Sequence, residues 1–401
     1  MKDFGFASER LSFIEEHLQR NYLDTNRYIG TLMGIYRRGE LGYVSATGLM
    51  DREGKRPMTR DTIFRIYSMT KPITSVALMM LYERGLFQLD DPVSQYIPSF
   101  RDIQVYQEGV IGNFKTSRLE REMTIRDLLT HQSGLTYGFM ERTNVDYAYR
   151  MLGIEKESQE SLQEFVELLS TIPLEFSPGK AWNYSVSTDV CGYLIEVISG
   201  KSLDKFFQSE IFEPLDMVDT GFYVPSEKTS RLASCYEYKE SKQPKLVDDA
   251  MTGTYLNPPK VLSGGGGLVS TLDDYMSFCK MILNGGDVED HRIISRKTLD
   301  LMSSNHLVNG GDLRSCAYGR WSETSYTGVG FGLGFSVLLD PAASQVSGSA
   351  GELAWGGAAS TAFWIDPLED LAVVFLTQLL PSSQFNVRRE LRSLVYSAIS
   401  D

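Results

Sequence analysis

From Pro72 to Leu81 the chain runs Pro-Ile-Thr-Ser-Val-Ala-Leu-Met-Met-Leu, and Gly85 follows as a natural residue just past a helix end. A helix over this run is apolar on nearly every face, so it has no side fit for water. It must lie inside the protein, with other elements packed around it. Only its mouth is polar: Ser68-Met69-Thr70-Lys71. A serine hydroxyl becomes a useful nucleophile once a base takes its proton. Positions i and i+3 share a helix face, with Cβ atoms about 5–6 Å apart, so Lys71 can reach Ser68 without help from the rest of the fold. Unpaired N–H groups and the macrodipole at the helix start favour negative charge developing there. Pro72 lies in the opening turns, where a proline disturbs few intrahelical bonds. This is the Ser-x-x-Lys pattern of acyl-transfer enzymes.

Context separates this match from three others, which begin at Ser177, Ser202 and Ser277. Ser177-Pro178-Gly179-Lys180 is a turn by composition, and Ser202 and Ser277 lie on ordinary mixed segments. None precedes a buried helix.

Residues 9–23 read as an amphipathic helix, with Leu11, Phe13, Ile14, Leu18 and Tyr22 near helical spacing. Residues 31–38 and 41–48 read as two strands joined by a tight turn at Arg38-Gly39-Glu40. A short strand-like piece, 62–66, leads into the Ser68 helix. Residues 90–250 read as mainly helical and loop-rich, punctuated by Pro98, Gly109, Pro173 and Pro178. Strands return at 331–338, 360–365 and 371–376, and a helix over 386–399 closes the chain. Strands at both ends with helices between predict an α+β fold. One antiparallel sheet is built from both termini and flanked by helices, with a mainly helical subdomain beside it. A chain of 401 residues exceeds what one core usually serves. The expected division is therefore 1–90 with 250–401 as the α/β domain and 91–249 as the helical one, with the active site at their interface.

The formal charge of −13 disfavours nucleic acid or an anionic membrane as a partner, because phosphates call for Lys/Arg surfaces. No segment approaches the ~20 apolar residues of a membrane span. Residues Met1 to Arg10 hold no apolar run of the kind a secretory signal needs, so the expected compartment is the cytoplasm. The cysteines Cys191, Cys235, Cys279 and Cys316 match no metal-ligand spacing and are expected as reduced thiols. No His-x-x-x-His pair occurs, and the glycines 264–267 lack the Gly-Lys-Ser/Thr ending of a phosphate loop. No cofactor or metal is called for. The glycine run suits backbone packed closely near the site.

A Ser-x-x-Lys system needs a further group to carry the proton to a leaving group. Tyr184, in Trp182-Asn183-Tyr184-Ser185-Val186, is the candidate: a phenol has a reference pKa close to that of an ammonium, so beside Lys71 it can act as base and then acid. An oxyanion hole needs two N–H donors, each worth ~3–4 kcal/mol. Ser68 supplies one, and an edge strand with small residues, around Trp355-Gly356-Gly357-Ala358, suits the other. Gly-x-Ser-x-Gly, the mark of a Ser-His-Asp esterase, is absent; Ser347-Gly348-Ser349-Ala350-Gly351 comes nearest. Among four histidines only His131 sits in a motif-like run, where capping or bracing a helix is the simpler role. Tyr137, Phe139 and Tyr147 suit either an acyl pocket or core packing.

Taken in order, these pieces resemble the serine β-lactamase and penicillin-recognising superfamily, and most closely the family VIII carboxylesterases, which are similar in fold to class C β-lactamases. The resemblance spans roughly residues 28–380. It rests on Ser68-Met69-Thr70-Lys71-Pro72, the run from Thr124 to Leu135, Tyr184-Ser185-Val186, the run from Ser263 to Leu268, and Trp355-Gly356-Gly357. It implies Ser68, Lys71 and Tyr184 as catalytic residues and the Ser68 and Ala358 N–H groups as oxyanion donors. Trp355, Gly356, Gly357, Tyr137 and Val186 would meet the substrate. The departures point to function. Val186 stands where the lactamases have an asparagine that grips an acylamino group, and Trp355 brings an apolar plate where they have a lysine facing a carboxylate. Both imply a small-molecule ester of short to medium acyl chain as substrate. A β-lactamase or D-amino-acid peptidase, an acyltransferase and a non-catalytic ligand sensor on the same fold are the alternatives.

Overall fold

The structure is a computed structural model in which residues 4–154, 159–239, 243–288, 291–319 and 326–401 are described. Its centre is an antiparallel sheet of eight strands. Across the sheet they run Val329–Phe331, Ser336–Leu338, Leu353–Gly356, Ala362–Asp366, Leu371–Leu376, Gly30–Arg37, Glu40–Asp51 and Arg56–Pro57. The two ends of the chain meet where Gly30–Arg37 pairs with Leu371–Leu376, Met33 opposite Phe375. Residues 38 and 39, both with positive φ, turn the first hairpin as expected.

Alternation along the strands feeds two cores. Leu32, Phe363, Ile365, Val374 and Leu376 join the main cluster, together with the helix Leu272–Leu283. Met33, Ile35, Trp364, Val373 and Phe375 face the other way, onto the helices Ser8–Leu18 and Val387–Ser397. Both faces of the sheet are covered, which is why Leu371–Leu376 is buried at every position. The helix Thr70–Glu83 is buried from Thr70 to Leu81, and Gly85 just beyond it has φ +71. Against it packs Ser187–Ser199, through apolar residues of the same cluster such as Ile73, Ala77, Val190 and Leu194. The short pair Phe64–Arg65 and Val269–Ser270 brings the glycine run 264–267 beside the start of the Thr70–Glu83 helix.

Three local readings need correcting. Residues 331–338 are not one strand: Val329–Phe331 and Ser336–Leu338 are paired arms of a hairpin. The chain reverses there because it meets the buried helix. Gly334 has φ +100, and a Cβ on it would lie 2.3 Å from Ser75 Cβ. Residues 105–117 form a hairpin, Val105–Val110 with Asn113–Ser117, inside the stretch read as helical. Cys235–Tyr238 and Pro244–Asp248 are also strands, joined to Leu379–Leu380.

His131 ends the helix Ile125–Leu129 as a residue with φ +56, a place glycine usually takes. Its Nδ1 lies 3.2 Å from Ser185 Oγ, and its ring centre is 5.0 Å from that of Tyr184. Burial, and then the nearby Lys71 charge, hold its pKa well below the usual histidine value. It braces the site as a neutral ring.

Two tests follow from this packing. Gly39 has φ +83 and open space around it, so Gly39→Ala should cost about 1 kcal/mol of backbone strain. Gly334→Ala adds a collision with the buried helix and should cost about 2–4 kcal/mol in urea unfolding; equal losses would mean the hairpin is not pressed on that helix. For His131 the unfolded state takes up a proton near pH 6.5 and the folded state does not, so this group's contribution to stability falls as pH drops below about 6.5. Its imidazole nitrogens should keep neutral 15N shifts from pH 7.5 to 5.5, and a titration near 6.5 would show that the ring is not shielded.

Candidate active site

Ser68 stands in the 3-10 turn Tyr67–Met69, which feeds straight into the helix Thr70–Glu83. The turn is pinned from behind. Gln378 accepts the Arg65 N–H at 3.2 Å and donates to the Arg65 carbonyl at 3.0 Å, so the approach to Ser68 is held like a strand. Tyr67, just before the serine, has φ +44, a conformation that a bulky residue adopts only where its surroundings impose it.

Lys71 is 1% exposed. Its Nζ donates to Ser68 Oγ at 3.2 Å and to the Gly265 carbonyl at 2.6 Å. The same nitrogen lies 4.6 Å from the ring centre of Tyr184 and 5.3 Å from that of Tyr137, so two aromatic faces share its charge. Gly265 is where the glycine run matters. Its carbonyl holds Lys71, while its N–H goes to Asp189 Oδ1 at 3.0 Å. A Cβ on Gly265 would sit 2.4 Å from Asp189 Oδ2, and one on Gly264 would sit 2.8 Å from the Thr188 carbonyl. The run is a thin wedge between two helices, as close backbone packing requires.

Asp189 is a site residue that the motifs did not reveal. It lies five residues after Tyr184, in the first turn of Ser187–Ser199, and also accepts the Ser263 hydroxyl at 2.5 Å. Burial raises its pKa, while the charge of Lys71 opposes that. The available signal was a carboxylate in the opening turn of an otherwise apolar helix.

Tyr184 is buried, shares a hydrogen bond with Ser68, and accepts from Trp355 Nε1 at 3.4 Å. Burial raises the pKa of its phenol, more than the bonds with Ser68 and Trp355 and the charge of Arg388 can offset. Burial thus moves Tyr184 off the reference phenol value, and at rest it carries its proton.

Trp355 and Gly356 end the strand Leu353–Gly356, which is not an edge strand. Its neighbour Ser336–Leu338 pairs only as far as Ala354, so Trp355 and Gly356 are open on that side. The expected close approach is therefore made by an overhanging strand end. A Cβ on Gly357 would lie 2.4 Å from the Ile66 carbonyl, which places this end against the turn that carries Ser68. The strand itself brings no charge, yet a cation does reach it: Arg388 Nη2, from the C-terminal helix, donates to the Gly357 carbonyl at 2.7 Å.

Ser68, Tyr137, Tyr184, Val186 and Trp355 to Ala358 line one cleft of about 1160 Å³. Phe139 stacks on Tyr137 at 4.7 Å between ring centres and stands half-exposed at the cleft. Tyr147 lies outside this lining, exposed on the helix Asn144–Leu152 beside Arg150. Among the described residues no group of His, Cys, Asp or Glu has the arrangement to hold a metal ion, and no helix is long and apolar enough to cross a membrane.

Comparison with known proteins gives the family of this fold. The family model described as Beta-lactamase matches residues 16–397. Protein Rv1367c of Mycobacterium tuberculosis is 34% identical over 90% of this chain and 88% of its own length. Esterase EstB of Burkholderia gladioli is 31% identical, over 88% of this chain and 87% of its own. Among solved structures, EstCE1, described as a hydrolase with promiscuous acyltransferase activity, matches with a TM-score of 0.81 at 28% identity, covering 97% of this chain and 99% of its own. The chain belongs to the beta-lactamase family, on the side of it that resembles the family VIII carboxylesterases, and is a serine hydrolase of that fold.

Proposed function

We propose that the chain is a carboxylesterase that cleaves short to medium acyl esters through an acyl-enzyme on Ser68, at the junction of 1–90 and 250–401 with 91–249. The observation that carries this reading is the contact of Lys71 Nζ with Ser68 Oγ at 3.2 Å, with the Tyr184 phenol bonded to the same hydroxyl. Lys71, an ammonium at rest, first gives a proton to solvent, and Ser68 Oγ attacks the ester carbonyl carbon as its own proton passes to the Lys71 amine so formed. The carbonyl electron pair moves to oxygen, where the N–H groups of Ser68 and Ala358 receive it. Collapse of this adduct breaks the C–O bond, and the Tyr184 phenol gives its proton to the leaving alkoxide and regains one from Lys71. Water then attacks the acyl carbon as its proton passes to the same pair, and the adduct breaks its bond to Ser68 Oγ, which takes that proton back as the acid leaves.

Substrate choice follows from what faces the nucleophile. Val186 has no amide to grip an acylamino group, and Trp355 presents an indole, hydrogen-bonded to Tyr184, where a lactamase needs a cation. Both favour uncharged acyl esters over anionic lactams or peptides. Esterase EstB carries the same activity in its name. A second reading, acyl transfer to an alcohol, is supported by the size of the cleft: about 1160 Å³ exceeds the usual ~300–1,000 Å³ of a single-ligand site, leaving room for an acceptor beside the acyl group.

The test compares p-nitrophenyl acetate, butyrate and octanoate with a chromogenic cephalosporin. Ester turnover should dominate, and both Ser68→Ala and Lys71→Ala should lose about 10³-fold or more of it with the fold intact by circular dichroism. Dominant cephalosporin cleavage would turn the assignment to a β-lactamase. Near-normal turnover in Lys71→Ala would remove that residue from the mechanism, and no turnover or covalent labelling of Ser68 by a fluorophosphonate would mean a ligand sensor.

A further inference from the structure

Beyond Gly356 the chain makes a tight turn. The Gly357 carbonyl accepts the Ser360 N–H at 3.2 Å, and the Gly357 N–H goes to the Thr361 carbonyl at 2.9 Å. Arg388 crosses to this turn from the helix Val387–Ser397. Its Nη2 donates to the Gly357 carbonyl at 2.7 Å and to the Thr361 carbonyl at 2.8 Å. The guanidinium comes so close that a Cβ on Gly356 would lie 2.5 Å from Arg388 Cζ. That glycine is what lets the cation in.

The Gly357 carbonyl and the Ala358 N–H are two ends of one peptide group. A trans peptide is planar, with C=O and N–H pointing in opposite directions. Whatever fixes the oxygen on one side therefore fixes where the N–H points on the other. The turn alone supplies a single long bond to that oxygen. Arg388 adds a shorter, charge-assisted one, the stronger kind. Ala358 lines the cleft with Ser68, and among the described residues its N–H is given to no acceptor.

We infer that Arg388 is the positioning residue of the oxyanion hole: by holding the Gly357 carbonyl from behind, it aims the Ala358 N–H at the oxygen that turns anionic when Ser68 is acylated. The inference rests on the acyl-enzyme reading above, in which Ala358 is the second donor. It gives the C-terminal helix a part in catalysis that the Trp355-Gly356-Gly357 strand cannot perform alone. Arginine suits the task because its rigid planar group fixes the directions of the two Nη2 N–H bonds, one to each carbonyl, whereas a lysine is a point charge on a flexible stem.

The test uses the whole chain with Arg388→Met, Arg388→Lys and Ala358→Pro. Proline is favoured at the second position of a tight turn and removes the N–H alone. An arylboronic acid bonds Ser68 Oγ and puts an oxygen where the oxyanion forms, so its inhibition constant reads the hole apart from ester binding. Arg388→Met should lower kcat by about 10- to 100-fold, short of the ~10²–10³ expected for a donor lost outright. It should weaken the boronic acid by a similar factor and leave KM within about twofold, with Arg388→Lys in between. Wild-type kcat and boronic acid affinity in Arg388→Met would overturn the inference, and so would a loss confined to melting temperature. If Arg388→Met is silent while Ala358→Pro loses kcat, this inference alone fails. If Ala358→Pro keeps wild-type kcat, Ala358 is not the second donor, and this inference fails together with the oxyanion assignment above, while Ser68 acylation is still read by the fluorophosphonate.

Discussion

A lysine nitrogen sealed at the middle of the molecule is the constraint from which the rest of the architecture follows. Taking an ammonium out of water costs several kcal/mol unless its donors and charge are answered. Lys71 meets a carbonyl, a hydroxyl, two aromatic faces and the charge of Asp189. These answers draw on several parts of the chain. The carbonyl needs a loop thin enough to enter between two helices, hence Gly264 and Gly265. The carboxylate and the phenol come from the segment that begins at Tyr184 and continues as Ser187–Ser199, and the second aromatic face from Tyr137. A site of this kind cannot be assembled on one element, because a single helix offers Lys71 only its neighbour Ser68.

The sheet meets this centre through absences of side chain. Gly334 lets the hairpin touch the buried helix, Gly357 lets the strand end touch the Ile66 carbonyl, and Gly356 admits Arg388. At each place a backbone is brought where a Cβ would collide. The short neighbour strand leaves Trp355 and Gly356 overhanging, so one strand is paired on both sides at Leu353 and on one side only three residues later. Full pairing and an open backbone are thus separated by about 10 Å of strand.

Much of this was legible in advance where the controlling forces are local. The run from Pro72 to Leu81 could only be an inside helix, and Lys71 had to face Ser68 because helix geometry leaves no choice. The apolar strand runs near the two ends of the chain are clear enough to give the sheet and its joining of both termini, with Leu371–Leu376 found at the expected bounds. Reading failed where a distant contact broke a locally consistent pattern. Residues 331–338 look like one strand until Ser75 occupies the space in front of Gly334. Residues 105–117 alternate too weakly, and with two glycines, to announce a hairpin.

The sequence by itself therefore determined the pairing of Ser68 with Lys71, the buried helix that mounts them and the α+β class, since each depends on local pattern. Tertiary structure decided what the surrounding groups are. Tyr184 is a weaker acid than a free phenol because burial outweighs its hydrogen bonds and the charge of Arg388. Asp189 belongs to the site because a glycine loop carries its hydrogen bond across to Lys71. Arg388 meets the strand end because the last helix lies across the sheet, over thirty positions away along the chain. Charge and solvation act through space, and only the folded chain says which residues share that space.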